Sequence, residues 1–315
     1  MSRLQWVRVA IAVAASAGAL QAGAQHRAAP STPKLTVVKA DQSFAVELPM
    51  RRPIGLAWDP APSRPRLWLT DAEARKVIEV DPATEVPPTE HKVGRNVAPG
   101  PAAFDVGRGR LWTVDQNPRH TRPIRVFDRV SGRPSPDQLL RPFAKAKLPD
   151  GPHRPAITGI AIHSSKDPSK RGPIVWICRG GGLCSSIEVY DLERRELLAH
   201  FFPRCEPVAI AIDPDGRRLW ILADNGPDRS MVLVERWLTA GADEPIPQPS
   251  VLETRRFLEL PPETPRATAI AATGDAIWAL VDEPRAFKTQ PTVRVKLHRF
   301  HVGSRPVAPG EEGRE

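Results

Sequence analysis

Carboxylates recur at one kind of place in this 315-residue sequence. Asp71, Asp115, Asp224 and Asp282 each stand just past an apolar-Trp pair, and in a fifth copy of the pattern Arg179 takes the acid's place. Brought together, four carboxylates could ligate a hard cation or share general acid–base work. Asp also accepts hydrogen bonds from the backbone that follows it and organises turns, and this structural role is the weightier expectation. Asp115-Gln116-Asn117 and Asp224-Asn225 are the pieces expected to face a ligand.

Arginines precede the segments that open each repeat: Arg51 and Arg52, Arg154 beside His153, Arg204, and Arg266. Guanidinium groups suit bidentate contact with carboxylate or phosphate, so converging loops of this kind would favour an anionic ligand. The plainer expectation is that each Arg pairs with a neighbouring acid (Asp71, Glu206, Asp282) or points into water.

Cys178, Cys184 and Cys205 lie in one neighbourhood. A Cys178–Cys184 disulfide is expected across a hairpin containing Gly180-Gly181-Gly182, with Cys184–Cys205 as the alternative. His298 and His301 stand three apart on a strand, so unless the strand bulges they should point to opposite faces and cannot share a metal. The sequence has no Gly-x-Ser-x-Gly, His-Glu-x-x-His, haem Cys-x-x-Cys-His or dinucleotide fingerprint. No complete catalytic set is legible.

The elements that would position these residues repeat. Five runs share a small–apolar alternation: Ile54–Trp58, Ala102–Val106, Thr158–Ile162, Val208–Ile212 and Thr268–Ala272. Each precedes a second strand carrying Leu67-Trp68, Leu111-Trp112, Val175-Trp176, Leu219-Trp220 or Ile277-Trp278, so five of the eight Trp share one position. Third strands follow, as in Val77–Asp81, Ile124–Asp128 and Ile187–Asp191, with looser versions at Met231–Glu235 and Val293–Leu297. Fourth strands are expected at Leu139–Phe143, Leu197–Phe202 and Arg256–Pro261.

The last of these has a twin in Ser43–Pro49, which is expected to supply the missing outer strand of the fifth unit and close a ring. Repeat starts are 48, 56, 50 and 60 residues apart. Four strands in units of roughly 40–50 residues indicate an all-β propeller, with five four-stranded blades favoured. Lys34–Lys39 could begin a sixth. The 36 Pro and 21 Gly fit a turn-rich all-β chain, and the Trp should wedge between blades.

The stretch Leu111–Asn117 leading to Ile124–Asp128 (LWTVDQN and IRVFD) and its relatives resemble the propeller superfamily that includes NHL, YVTN and gluconolactonase-like repeats. The resemblance covers most of residues 43–300. It is not WD-repeat-like, since Trp58-Asp59 ends a first strand. Such repeats commonly carry Asp after the second strand to organise the turn, and their loops from second to third and from fourth to first strand share one face. Gluconolactonase-like enzymes begin the first unit with an acidic metal ligand before Gly-Pro. Here Met50-Arg51-Arg52-Pro53 puts a positive charge there, although Asn225 and Asp282 resemble the remaining ligands.

Residues 1–24 read as a secretory signal peptide: Arg3 and Arg8, an apolar Val9–Leu20 run, then Ala22-Gly23-Ala24. The run is too short for the ~20 residues that span a bilayer. Cleavage after Ala24 removes two Arg and no acid, taking the net charge from +9 to +7. The basic residues are scattered, which argues against nucleic acid. The expected organisation is signal peptide 1–24, N-terminal segment 25–42, propeller 43–303 and disordered tail 304–315. The expected role is an exported, periplasmic or secreted, non-catalytic propeller. It would bind an anionic small molecule, a periplasmic protein or a cell-envelope polymer at its channel mouth, with no cofactor. The alternative is a lactonase-like hydrolase or NHL-like lyase holding Ca or Zn, with Asp224, Asn225, Asp282 and His153 as ligands or bases.

Overall fold

The computed structural model describes residues 36–61, 63–84, 86–93, 96–117, 124–128, 156–164, 173–180, 185–191, 194, 196–203, 205–224, 231–239, 248–260, 266–282 and 293–303. Among these, every regular element is a β-strand, and no helix is long and apolar enough to cross a membrane. The expected signal peptide, the Leu139–Phe143 strand and the 304–315 tail fall outside the described residues.

The strands form antiparallel meanders that follow the repeat. The first is β2 (Pro53–Asp59), β3 (Arg66–Asp71), β4 (Lys76–Val80) and β5 (Thr89–Lys92). The second is β6 (Pro99–Asp105), β7 (Arg110–Asp115) and β8 (Ile124–Asp128). The third is β9 (Ala156–His163), β10 (Ile174–Gly180), β11 (Ser186–Asp191) and β12 (Glu196–Phe201). The fourth is β13 (Glu206–Ile212), β14 (Arg218–Asp224), β15 (Met231–Thr239) and β16 (Gln248–Glu259). The fifth is β17 (Arg266–Ala272), β18 (Ala276–Asp282) and β19 (Val293–His301).

The N-terminal strand β1 (Thr36–Met50) bridges the fourth and fifth meanders into one eight-stranded sheet. Ala40–Met50 runs antiparallel beside β19, with Phe44 opposite Leu297, and Thr36–Lys39 runs parallel beside Arg256–Glu259 of β16. Thr36–Lys39 thus extends an existing edge instead of starting a further sheet. The first strands of the meanders neighbour one another in the order β2, β6, β9, β13, β17 and back to β2. Meanders radiating from a set of inner strands are the β-propeller architecture.

The small residues of the inner strands have a local cause. Ala57, Ala103, Ala161, Ala211 and Ala271 stand directly across from Trp68, Trp112, Trp176, Trp220 and Trp278. A methyl group opposite each indole leaves room for the ring to lie between sheets. Each Trp belongs to a different apolar cluster that spans two successive sheets. Trp68 packs with Phe104 and Leu111, Trp112 with Ile160 and Ile177, and Trp176 with Ile210 and Leu219. Trp220 packs with Ile270 and Ile277, and Trp278 with Leu56 and Leu67. Burying an indole of ~150–250 Å² at ~25 cal/mol/Å² contributes about 4–6 kcal/mol, so these rings dominate the cohesion between sheets.

Candidate functional site

Strand register sets the acids of the sequence pattern at corresponding ends of their sheets. Asp71 lies opposite Pro53, Asp115 opposite Pro99, Asp224 opposite Glu206 and Asp282 opposite Arg266. Their chemistry differs. Asp71 is fully buried and accepts four backbone N–H bonds: Arg51 N at 2.6 Å on Oδ2, and Arg52 N at 3.0, Glu73 N at 3.1 and Ala74 N at 2.9 Å on Oδ1. Asp115, also fully buried, accepts from Ala98 N and Asn117 N, both at 3.0 Å. Both carboxylates tie the chain leading into an inner strand to the turn after the second strand. Arg52 therefore meets Asp71 through its main chain, and its side chain is exposed.

Asn117 donates its side-chain amide to Asn96 O at 2.6 Å. Arg179 is buried and donates Nε to Glu188 Oε1 at 2.9 Å, while Tyr190 donates its hydroxyl to Glu188 Oε2 at 2.9 Å. It is thus part of a buried Arg–Glu–Tyr group within the third sheet. The structure does bring Asp224 and Arg266 together, at 3.1 Å, with the Arg266 side chain half exposed. Asn225, His153, Arg154 and Arg204 lie outside the described residues. Among the described residues, no three His, Cys, Asp or Glu are grouped so as to hold a metal.

The expected Cys178–Cys184 disulfide is not seen: Cys178 is buried with its Sγ unbonded to another sulfur, and Cys184 lies outside the described residues. Strand alternation turns Cys178 into the layer between the third and fourth sheets, where Cys205 packs against the same cluster. Its Sγ lies 3.3 Å from Thr158 Oγ1. Burial pushes this thiol up to about 12 despite Thr158, with Cys205 adding to the rise. His298 is buried and His301 exposed, the alternation expected of their spacing. His298 Nδ1 sits 2.7 Å from Ser43 Oγ across the β1–β19 pair.

At the other end of the axis, a cavity of about 50 Å³ is bounded by the closing residues of all five inner strands, including Trp58, Phe104, Ile162, Ile212 and Ala272. The next residue in each case is polar: Asp59, Asp105, His163, Asp213 and Thr273. Asp59 and Asp105 accept from Ala61 N and Arg108 N, each at 3.1 Å, and Thr273 Oγ1 accepts from Ala276 N at 3.2 Å. His163 instead lies against Gly216, whose φ is +73° and whose missing Cβ would fall 1.9 Å from the imidazole Cε1. Burial lowers the His163 pKa below 6.5, against the raising fields of Asp215 and Asp105.

Asp213 anchors a buried ionic group. It accepts from Trp220 Nε1 at 2.6 Å and from Arg218 Nε. Arg218 and Arg256 flank the Trp220 ring at 5.2 and 5.5 Å, and Glu235 accepts from Arg256 at 2.9 Å. Burial pushes Asp213 up to about 6, with Arg218 and Trp220 opposing. The sequence reading missed this end of the axis. Its signal was an Asp followed by Arg-Leu-Trp, repeated at Asp59/Arg66–Trp68, Asp105/Arg110–Trp112 and Asp213/Arg218–Trp220.

No family model matches the chain, and no curated protein matches its sequence. Solved structures do share features of it. Hydrazine synthase of Kuenenia stuttgartiensis is 17% identical over 76% of this chain, which spans 58% of that one, at a TM-score of 0.42. The PQQ-bound aldose sugar dehydrogenase of Streptomyces coelicolor is 14% identical over 85% of this chain and 100% of that one, with TM-score 0.43. The Cps50 (Swd1) β-propeller domain of Myceliophteria thermophila is 12% identical over 78% and 83%, with TM-score 0.44. Likenesses at this level carry neither activity nor ligand across; the propeller fold stands on this chain's own strand pairings.

Proposed function

We propose that this chain is an exported, non-catalytic binding propeller of five blades, closed by its N-terminal strand, which recognises an anionic ligand or protein partner at a mouth of its axial channel. The five-blade reading is supported by the cyclic neighbour order of β2, β6, β9, β13 and β17 and by the five Trp clusters. Closure is supported by the antiparallel run of β1 beside β19.

One observation carries the binding reading. Three of the four acids repeated after the second strands, the best candidates for chemistry, are engaged, by backbone amides at Asp71 and Asp115 and by a guanidinium at Asp224. A carboxylate with its lone pairs directed at fixed N–H donors is poorly placed to take up a proton or a metal. At the same mouth Arg52 is exposed, and Arg266, although paired with Asp224, keeps about half of its side chain open, which suits reversible contact with an anion.

The test is a thermal melt of the purified protein against polyphosphate, a polyuronate, Ca²⁺, Zn²⁺, EDTA and simple lactones. A ligand at about 100 times its Kd adds about 2.7 kcal/mol, which is several degrees. An anion-dependent rise that salt abolishes and Arg266→Glu removes supports the reading. A rise with Ca²⁺ or Zn²⁺ together with lactone turnover overturns it in favour of the hydrolase, in which Asp224, Asn225, Asp282 and His153 would form the site.

A further inference from the structure

Away from the axis, a cleft of about 510 Å³ lies between two segments remote in sequence. One wall is formed by Gln42 and Phe44–Val46 of β1, and the other by Val80–Thr84 and Val86–Pro88, at the end of β4 and in its connection to β5. The volume falls within the ~300–1,000 Å³ of small-molecule sites, whereas the axial cavity of about 50 Å³ has room for little more than water.

The walls are apolar and largely fixed before anything binds. Phe44 meets Trp278 edge-on at 5.6 Å, and Val46 and Val80 are buried in the same cluster. Pro82, Pro87 and Pro88 stiffen the opposite wall, having few rotamers to lose on contact. Val86, 52% exposed, stands at the rim. A rigid apolar cavity of this kind binds with little ordering cost.

The polar groups decide which ligand fits. Gln42 donates its amide to Pro82 O at 3.4 Å across the cleft, and Thr84 lies beside it. Asp81 is already engaged by Arg64 Nε at 2.8, Arg66 Nη1 at 3.0 and Ala83 N at 2.9 Å. Burial alone would raise the Asp81 pKa, but hydrogen bonds from Arg64, Ala83 and Thr84 and the Arg66 charge hold it down to about 2. Arg66 Nε is taken by Glu79 at 2.7 Å. Among the described residues at the cleft, these two guanidiniums are thus matched by two carboxylates, and an ion entering beside them would lose hydration without meeting an unmatched opposite charge.

We propose that this cleft binds a neutral, mainly apolar small molecule of two- or three-ring size, clasped between Phe44, Val86 and the prolines, with its polar end at Gln42 and Thr84. Because its walls belong to β1 and to the first sheet, the bound molecule also holds those elements together. The site is independent of the axial mouth.

The experiment titrates the full chain with N-phenyl-1-naphthylamine, a neutral fluorophore, and with anilinonaphthalene sulfonate, the same ring body carrying an anion. Ala83→Trp fills the cleft and Val86→Lys charges its rim; both positions are exposed, so folding is not at stake, and melting temperatures verify it. Expected are a saturable 1:1 rise with the neutral probe, binding at least about tenfold weaker for the sulfonate, and a similar loss in each variant. Absence of saturable binding, or unchanged affinity in both variants, overturns the site. Equal affinity for the sulfonate overturns the ligand class.

Discussion

Asp71→Ala tests whether the repeated acids hold the fold or do chemistry. The substitution removes four charge-assisted bonds, to Arg51 N, Arg52 N, Glu73 N and Ala74 N, at 2.6 to 3.1 Å. Such bonds contribute about 1.5–3 kcal/mol each when nothing replaces them. Residues 51, 52 and 73 are exposed, so water recovers part of the loss. A net cost of about 3–5 kcal/mol is expected, or about 10 °C in Tm. Asp71→Asn should cost about half: its amide oxygen can keep the three donors on Oδ1, while its NH2 faces the Arg51 N–H. Urea unfolding followed by Trp fluorescence, with ligand affinity measured on the folded fraction, separates the two roles. Wild-type stability combined with loss of a metal response or of turnover would refute the structural assignment.

Trp220→Ala should destabilise by at least about 3–5 kcal/mol, because it empties an inter-sheet position and also strips Asp213 of a donor; a loss under about 1 kcal/mol in urea unfolding would contradict that packing. Gly216→Ala should cost about 2–4 kcal/mol, from a left-handed φ and the clash with His163, and His163→Ala should recover much of it in the double variant. Additive effects would mean that the two do not meet. Burial, with Lys296 second, lowers the His298 pKa below 6.5, as burial does for His163. The unfolded chain therefore takes up protons that the folded chain refuses. The contribution of these two His is full above about pH 6.5 and falls as the pH drops below it, by up to about 1.4 kcal/mol per pH unit for each. The raised Asp213 carboxyl contributes in the opposite direction as the pH falls through about 6. The stability difference between wild type and His298→Gln, followed by denaturation from about pH 7.5 to 5, isolates the His298 share and should move against the wild type as the pH falls; a difference independent of pH would refute it.

The sequence determined the architecture because its signals are local. Period-2 alternation, a turn, and a Trp in register do not depend on distant residues, and five repetitions made the meander and its approximate bounds legible. It also exposed the match between Ser43–Pro49 and Arg256–Pro261, from which the pairing of β1 with β19 follows. The weightier reading of Asp71 and Asp115 as turn organisers was likewise local, since Asp bonds to the backbone on either side of it.

Tertiary structure decided what each side chain faces. Cys178 looked like half of a hairpin disulfide, but the pleat turns it toward the fourth sheet. Arg179 looked like a mouth cation, but Glu188 of the neighbouring β11, itself held by Tyr190, binds it in the interior. Lys34–Lys39 could begin a further blade by its sequence, yet the described part of it, Thr36–Lys39, lies along an available edge of β16. The cleft between Gln42–Val46 and the described residues that follow β4 had no sequence signature at all, because its walls meet only when the outer strand beside β19 is laid against the first sheet. Cavities are made by the approach of distant segments, and no local pattern of residues encodes that approach.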